Sequence, residues 1–264
     1  MIGLFYKDRT DAVIRGWSRV STILASVIVL LFALLVPIGA QAQDGRSYLE
    51  LSGGFKTGDF GTPIRTNVYY VNSVLGYVSS TYDLSVSVPY LTLKNSGSVP
   101  GMMDSSSGIG DVILRGGRVL VPEGGNGFSL DGSLGVKLPT ADDTKGLGSG
   151  EADYGAFLGL HQRLGQFLVS FSGGYIKIGD PPQTNYNDIF LYGIGVSRSF
   201  NRTNLSLSFQ GRQAVIPGAQ DPQEIVIDVF HALNSNYALK GGAFEGLNKG
   251  GPDAGFNFGI VRWF

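Results

Sequence analysis

The sequence predicts an all-β protein: an antiparallel, up-and-down transmembrane β-barrel of about twelve strands, preceded by a cleavable signal peptide. Three observations carry this. Residues 1–42 form a basic then apolar segment unlike anything after them. The rest of the chain alternates apolar and polar residues with a period of two. The links between alternating segments are short and long by turns, as in bacterial outer-membrane barrels.

In the leader, Lys7, Arg9, Arg15 and Arg19 precede an apolar run from Ile23 to Ala40. Ala40-Gln41-Ala42 is an A-x-A cleavage pattern, which places the cut between Ala42 and Gln43. The rival is an uncleaved anchor, since the run approaches spanning length. Pro37 and the small residues around it favour the extended chain that a peptidase needs. The expected division is 1–42 signal peptide and 43–264 barrel.

The mature chain of 222 residues carries 16 Lys+Arg and 19 Asp+Glu, net −3. That balance gives no nucleic-acid footprint, which would be basic. With no Cys, thiolate metal sites, disulfides and a cysteine nucleophile are excluded. Two His make a His-rich metal site a poor reading, and no cofactor is indicated.

The strands are expected at 46–56, 65–78, 81–91, 109–121, 127–138, 152–163, 166–178, 188–200, 203–213, 223–233, 236–246 and 254–264. Leu49, Leu51, Gly53 and Phe55 alternate with Tyr48, Glu50, Ser52 and Lys56. Leu205, Leu207 and Phe209 alternate with Ser206, Ser208 and Gln210. Most are close to the ~9–11 residues that a tilted strand needs to cross a bilayer. Backbone polar groups in hydrocarbon must all be paired, so such a sheet has to close. An even count leaves both ends in the periplasm. Tyr48, Tyr90, Tyr154, Phe128, Phe200 and Phe264 lie near strand ends, where aromatic girdles form. The terminal Phe264, on a last strand with apolar residues at alternating positions, looks like the signal read by the barrel-assembly machinery. Arg262 departs from that pattern.

A charge facing lipid near the midplane costs ~2–4 kcal/mol, so inward parity collects the charges. The acids on that parity are Glu50, Asp83, Asp111, Asp131, Asp153 and Asp228. The bases are Lys56, Arg115, Lys137, Arg163, Arg212 and Lys240, with His161 beside them. These residues line the candidate solute path or, equally well, pair across the lumen and plug it. Arg118, Lys177, Arg198 and Arg262 break parity near strand ends, where snorkelling relieves them. In the link 92–108, Met102 and Met103 either offer an adaptable apolar cap for the mouth or belong to a loop that packs on its neighbours. The link 139–151 is either a constriction loop at the mouth, with Asp142, Asp143 and Gly148, or an ordinary long hairpin loop.

Four stretches carry a family resemblance: Gly108-Ile109-Gly110-Asp111, Lys137-Leu138-Pro139-Thr140, Gly146-Leu147-Gly148-Ser149-Gly150 and Asp153-Tyr154-Gly155. In order and spacing they resemble the outer-membrane barrel family labelled "MetA-pathway of phenol degradation", whose members are also labelled transporters. Ala141 stands where the family pattern has Gly, which bears on the turn before Asp142. The resemblance implies a barrel associated with hydrophobic or aromatic compounds. The function expected is passive uptake of such solutes, with outer-membrane lipid around the barrel. Two other classes remain: a closed structural or adhesion barrel acting through its loops, and an outer-membrane hydrolase. For the hydrolase, neither His161-Gln162-Arg163 nor His231-Ala232-Leu233 has a Ser two residues after its His, and no catalytic residue is assigned.

Overall fold

The computed structural model describes residues 45–62, 64–96, 104–182 and 184–264. The signal peptide, the cleavage pair Ala42 and Gln43, and Met102 and Met103 therefore lie outside the described residues.

The alternation folds as expected. The strands are β1 (Arg46–Gly58), β2 (Thr66–Val78), β3 (Tyr82–Asn95), β4 (Ser105–Ile109), β5 (Val112–Val121), β6 (Phe128–Leu138) and β7 (Asp153–Leu164). They continue as β8 (Phe167–Lys177), β9 (Ile189–Phe200), β10 (Thr203–Arg212), β11 (Gln223–Ala232), β12 (Tyr237–Gly246) and β13 (Ala254–Trp263). Each pairs antiparallel with its neighbours, β2 pairs with both β1 and β3, and β1 pairs with β13, which closes the sheet into a barrel.

Thirteen strands make twelve crossings because β4 and β5 are one crossing interrupted. Both pair with β3, but Tyr90 faces Ile109 while Ser87 faces Ile113, so this side carries one extra residue. The extra residue is a bulge at Gly110-Asp111, opposite Pro89. Pro89 has no N–H to give, and its carbonyl accepts from Gly110 N at 2.8 Å. The link 92–108 is correspondingly shorter than expected, because β3 runs on to Asn95 and Ser105–Ile109 pairs back against it.

Outward positions are apolar and exposed, including Leu51, Leu134, Leu158, Phe171, Ile194, Leu207 and Phe258. Exposed apolar surface spread over every strand of a closed sheet is the lipid face of a membrane barrel. At the end with long links, Phe55 packs on Tyr69 and Phe256, and Tyr175 on Phe190, as an aromatic girdle. At the short-turn end, Arg198 lies over Phe200 at 4.4 Å and Arg262 over Phe264 at 4.7 Å. Two of the three parity-breaking arginines, Arg198 and Arg262, thus sit on girdle rings, where cation–π contact offsets their position. Tyr48 is a correction. It points inward, its ring lying across Gly76, its register partner on β2.

That pairing recurs. Asp83 lies over Gly117, Asp131 over Gly159 and Asp228 over Gly242, each glycine being the direct cross-strand partner. A Cβ on Gly117 would come within 2.2 Å of the Asp83 carboxylate. Many of the 40 glycines therefore make room along the wall for large inward side chains to lie flat.

Candidate functional site: the lumen and its inserted loop

The four motif stretches converge on one place. Lys137, at the end of β6, stands between Asp111 of the bulge and Asp153 at the start of β7, 3.3 and 3.0 Å from their carboxylates. Its Nζ also donates to Ser149 Oγ at 2.9 Å. All three charged side chains are largely shielded, at 17%, 10% and 15% exposure. Thr140 ties the loop to the bulge, accepting from Val112 N at 2.9 Å and donating to Gly110 O at 3.2 Å. Asp111 Oδ1 accepts from Ala141 N at 3.1 Å.

So anchored, the link 139–151 folds into the barrel. Leu147 is 3% exposed and packs with Val68, Leu91 and Leu93 on the inner wall, flanked by Phe60, Tyr70 and Ala141. The glycines permit this approach. A Cβ on Gly148 would lie 2.7 Å from Ala141 Cβ and 2.8 Å from the Asp111 carboxylate. Gly146 and Gly150 take positive φ, 69° and 77°, at the turns. Ala141 keeps a negative φ, so Ala in place of Gly costs the turn nothing there. The loop packs on the inner wall through Leu147 instead of standing free at the rim. Its tip carries a 3₁₀ turn, Asp143–Lys145. There burial raises the Asp142 carboxyl, but hydrogen bonds from Thr144 and Lys145 outweigh it and hold it below the usual range.

The opposite wall is open. A cavity of about 420 Å³ is lined by Glu50, Ser52, Tyr70, Asn72, Ser206, Asp228, Lys240 and Asn257. Lys240 pairs with Glu50 at 2.5 Å across the intervening β13. Arg115 donates to Ser133 Oγ at 3.1 Å. Lys56 and Arg212 lie inward toward the long-link end. Arg163 departs from expectation. It leaves the lumen for the rim and forms a fork with Glu123 in the turn after β5, at 2.5 and 2.9 Å. That hydrogen bond holds the Glu123 carboxyl below its ordinary range.

Sequence reasoning missed one constellation. His161 Nε2 lies 2.6 Å from Asp131 Oδ2, and His161 Nδ1 lies 2.8 Å from Ser170 Oγ. The Ser comes from the next strand, where cross-strand register brings it opposite His161. A local spacing rule does not find it. Acyl transfer also needs N–H donors aimed at the reacting oxygen. Strand N–H groups lie in the sheet and point at neighbouring strands, not into the lumen. His161, Asp131 and Ser170 form a hydrogen-bonded stretch of polar wall across β6, β7 and β8. His231 bonds Thr203 Oγ1 at 2.8 Å near a short-turn end. Among the described residues no group of three metal-ligating side chains occurs.

A family model described as "Putative MetA-pathway of phenol degradation" matches residues 45–218. The chain belongs to that family. A comparison with curated protein sequences finds no match. Among solved structures, the chain is similar to the COG4313 outer membrane channel from Pseudomonas putida F1, at a TM-score of 0.70 and 14% identity, covering 86% of this chain and 100% of that one. It is also similar to the NanC porin, at a TM-score of 0.56 and 8% identity, covering 81% and 98%. The KdgM porin in complex with disordered oligogalacturonate matches at a TM-score of 0.54 and 7% identity, covering 82% and 99%. At these identities the likeness concerns the fold: a closed barrel of twelve crossings.

Proposed function

We propose that this protein is an outer-membrane channel for passive movement of small hydrophobic or aromatic solutes. The observation that carries it is the join between two inner surfaces: the apolar cluster around Leu147 meets the polar cavity at Tyr70, which belongs to both. A solute with a ring finds apolar contact near the long links and a wet path below. Binding weak enough for release is what a diffusion channel needs. The family's description points the same way, as do the channel and the porin among the similar structures.

On this reading the leader is removed after Ala42, the barrel-assembly machinery reads the strand ending in Phe264, and both termini are periplasmic. The long links, with the inserted loop, then face outward. No catalytic step is assigned.

A second reading has its own observation. The anchored loop and the Glu50–Lys240 pair both narrow the lumen, which suits a closed barrel acting through its loops. Single-channel recording in planar bilayers separates the two. Discrete steps, absent after heat unfolding, establish the channel. A silent bilayer from protein with heat-modifiable mobility establishes the closed barrel.

A further inference from the structure

Five inward cations lie along the described strands, and three have partners. Lys137 has Asp111 and Asp153, Lys240 has Glu50, and Arg115 has Ser133. Lys56 and Arg212 have neither an ion pair within 4.0 Å nor a side-chain hydrogen bond among the described residues. Arg212 acts electrostatically on Lys56, and the carboxylate of Glu224 acts on both. Two half-buried cations against one acid leave one positive charge locally unbalanced. An unpaired, partly desolvated charge is costly to hold, and it becomes favourable when an anion arrives.

The surroundings say which anion. Lys56 Nζ lies 5.6 Å from the centre of the Tyr70 ring, which faces both the cavity and the apolar cluster. Phe244 lies over Gly255, the register partner of Lys56 on β13. Flat rings therefore stand near Lys56, and the guanidinium of Arg212 offers a fork that matches a carboxylate.

We propose that Lys56 and Arg212, with Tyr70 and Phe244, form a binding station for small aromatic carboxylates at the upper end of the lumenal cavity. This rests on the channel reading and narrows its solute class from aromatic compounds in general to aromatic acids. The cations take the carboxylate, and the two rings take the arene.

The test uses protein extracted in detergent from outer membranes of an expressing host, with heat-modifiable mobility as the fold control. Isothermal titration calorimetry compares sodium benzoate, sodium acetate and benzyl alcohol. Benzoate is expected to bind at least about tenfold more tightly than either ligand that lacks one half of its chemistry. K56Q and R212Q each weaken benzoate about tenfold and leave benzyl alcohol unchanged, while K56R restores benzoate binding. Benzoate binding that is absent, equal to that of benzyl alcohol, or unchanged in both variants overturns the proposal. If a variant fails to fold, the three-ligand comparison on the unaltered protein and on K56R decides. Bilayer recordings on the same preparation keep the two readings apart. Protein that binds benzoate but passes no current retains the station and overturns free diffusion. Protein that conducts but ignores benzoate retains the channel and overturns the station.

Discussion

The β3–β7 side of the lumen and the side from β10 through β13 to β1 are made from the same alternating strands, yet they end in opposite states. On the first, a bulge admits Asp111 and an inserted loop fills the space, so the charges are paired and the apolar residues covered. On the second, the inward residues line a cavity, and Lys56 and Arg212 have no ion pair within 4.0 Å among the described residues. The difference comes from a single link. Where a loop has glycines that let it approach and a lysine that pins it, the wall is sealed. Where neighbouring links stay at the rim, it stays open. A packed wall and an open one are thereby set on different sides of the same barrel, with Tyr70 where they meet.

The contrast can be broken most strongly at Leu147. L147D places a charge in the apolar cluster, and docking of the loop is expected to lose about 3 kcal/mol or more. Single-channel conductance should then rise several-fold, approaching that of a barrel with 141–150 replaced by a short glycine linker. Conductance equal to that of the unaltered protein removes the loop as the constriction. K137M strikes the same wall from its anchor. It leaves Asp111 and Asp153 facing one another, at a cost of about 2 kcal/mol after allowance for lumenal water. A lower thermal midpoint in detergent and longer open times are the expected readouts.

On the open wall, K240M should cost about 1 kcal/mol in stability, since the pair borders solvent. It should also shift the reversal potential in a KCl gradient toward cations, because Glu50 and Asp228 lose their counter-charge. The smallest effect concerns pH. The folded protein holds the Asp142 carboxyl below its unfolded value, so its support of the loop is present above about pH 4 and fades as pH falls through the depressed value. D142N should remove that acid-side rise in conductance and change little at neutral pH.

The barrel was legible because the two faces of a lipid-facing strand differ in kind. Leu205-Ser206-Leu207-Ser208 has one reading once the chain must cross hydrocarbon. The motif stretches were legible as a group, but not what they build. Nothing local says that Lys137 reaches two carboxylates and a serine from three different segments. Parity placed Arg163 inward, yet at a strand end the side chain follows its partner Glu123 to the rim. Tyr48 misled in the other direction. An aromatic ring near a strand end suggests a girdle, and only the register shows Gly76 making room for it inside. The lone positions of Lys56 and Arg212 were invisible, because lacking a partner is a property of the closed wall.

The seam between β1 and β13 carries a final consequence. Arg46 donates to the Ser235 carbonyl at 2.8 Å, across 189 positions of chain, and Phe264 N donates to Ser47 O at 2.9 Å. Closure thus joins the first and last strands of the barrel, which lie far apart along the chain. The entropy of bringing such distant segments together falls due before the ladder between them repays it. A chain halted before its final strand is left as a curled sheet with two long unpaired edges, each a template for another copy. A chain from which β13 is deleted is therefore expected to aggregate instead of closing.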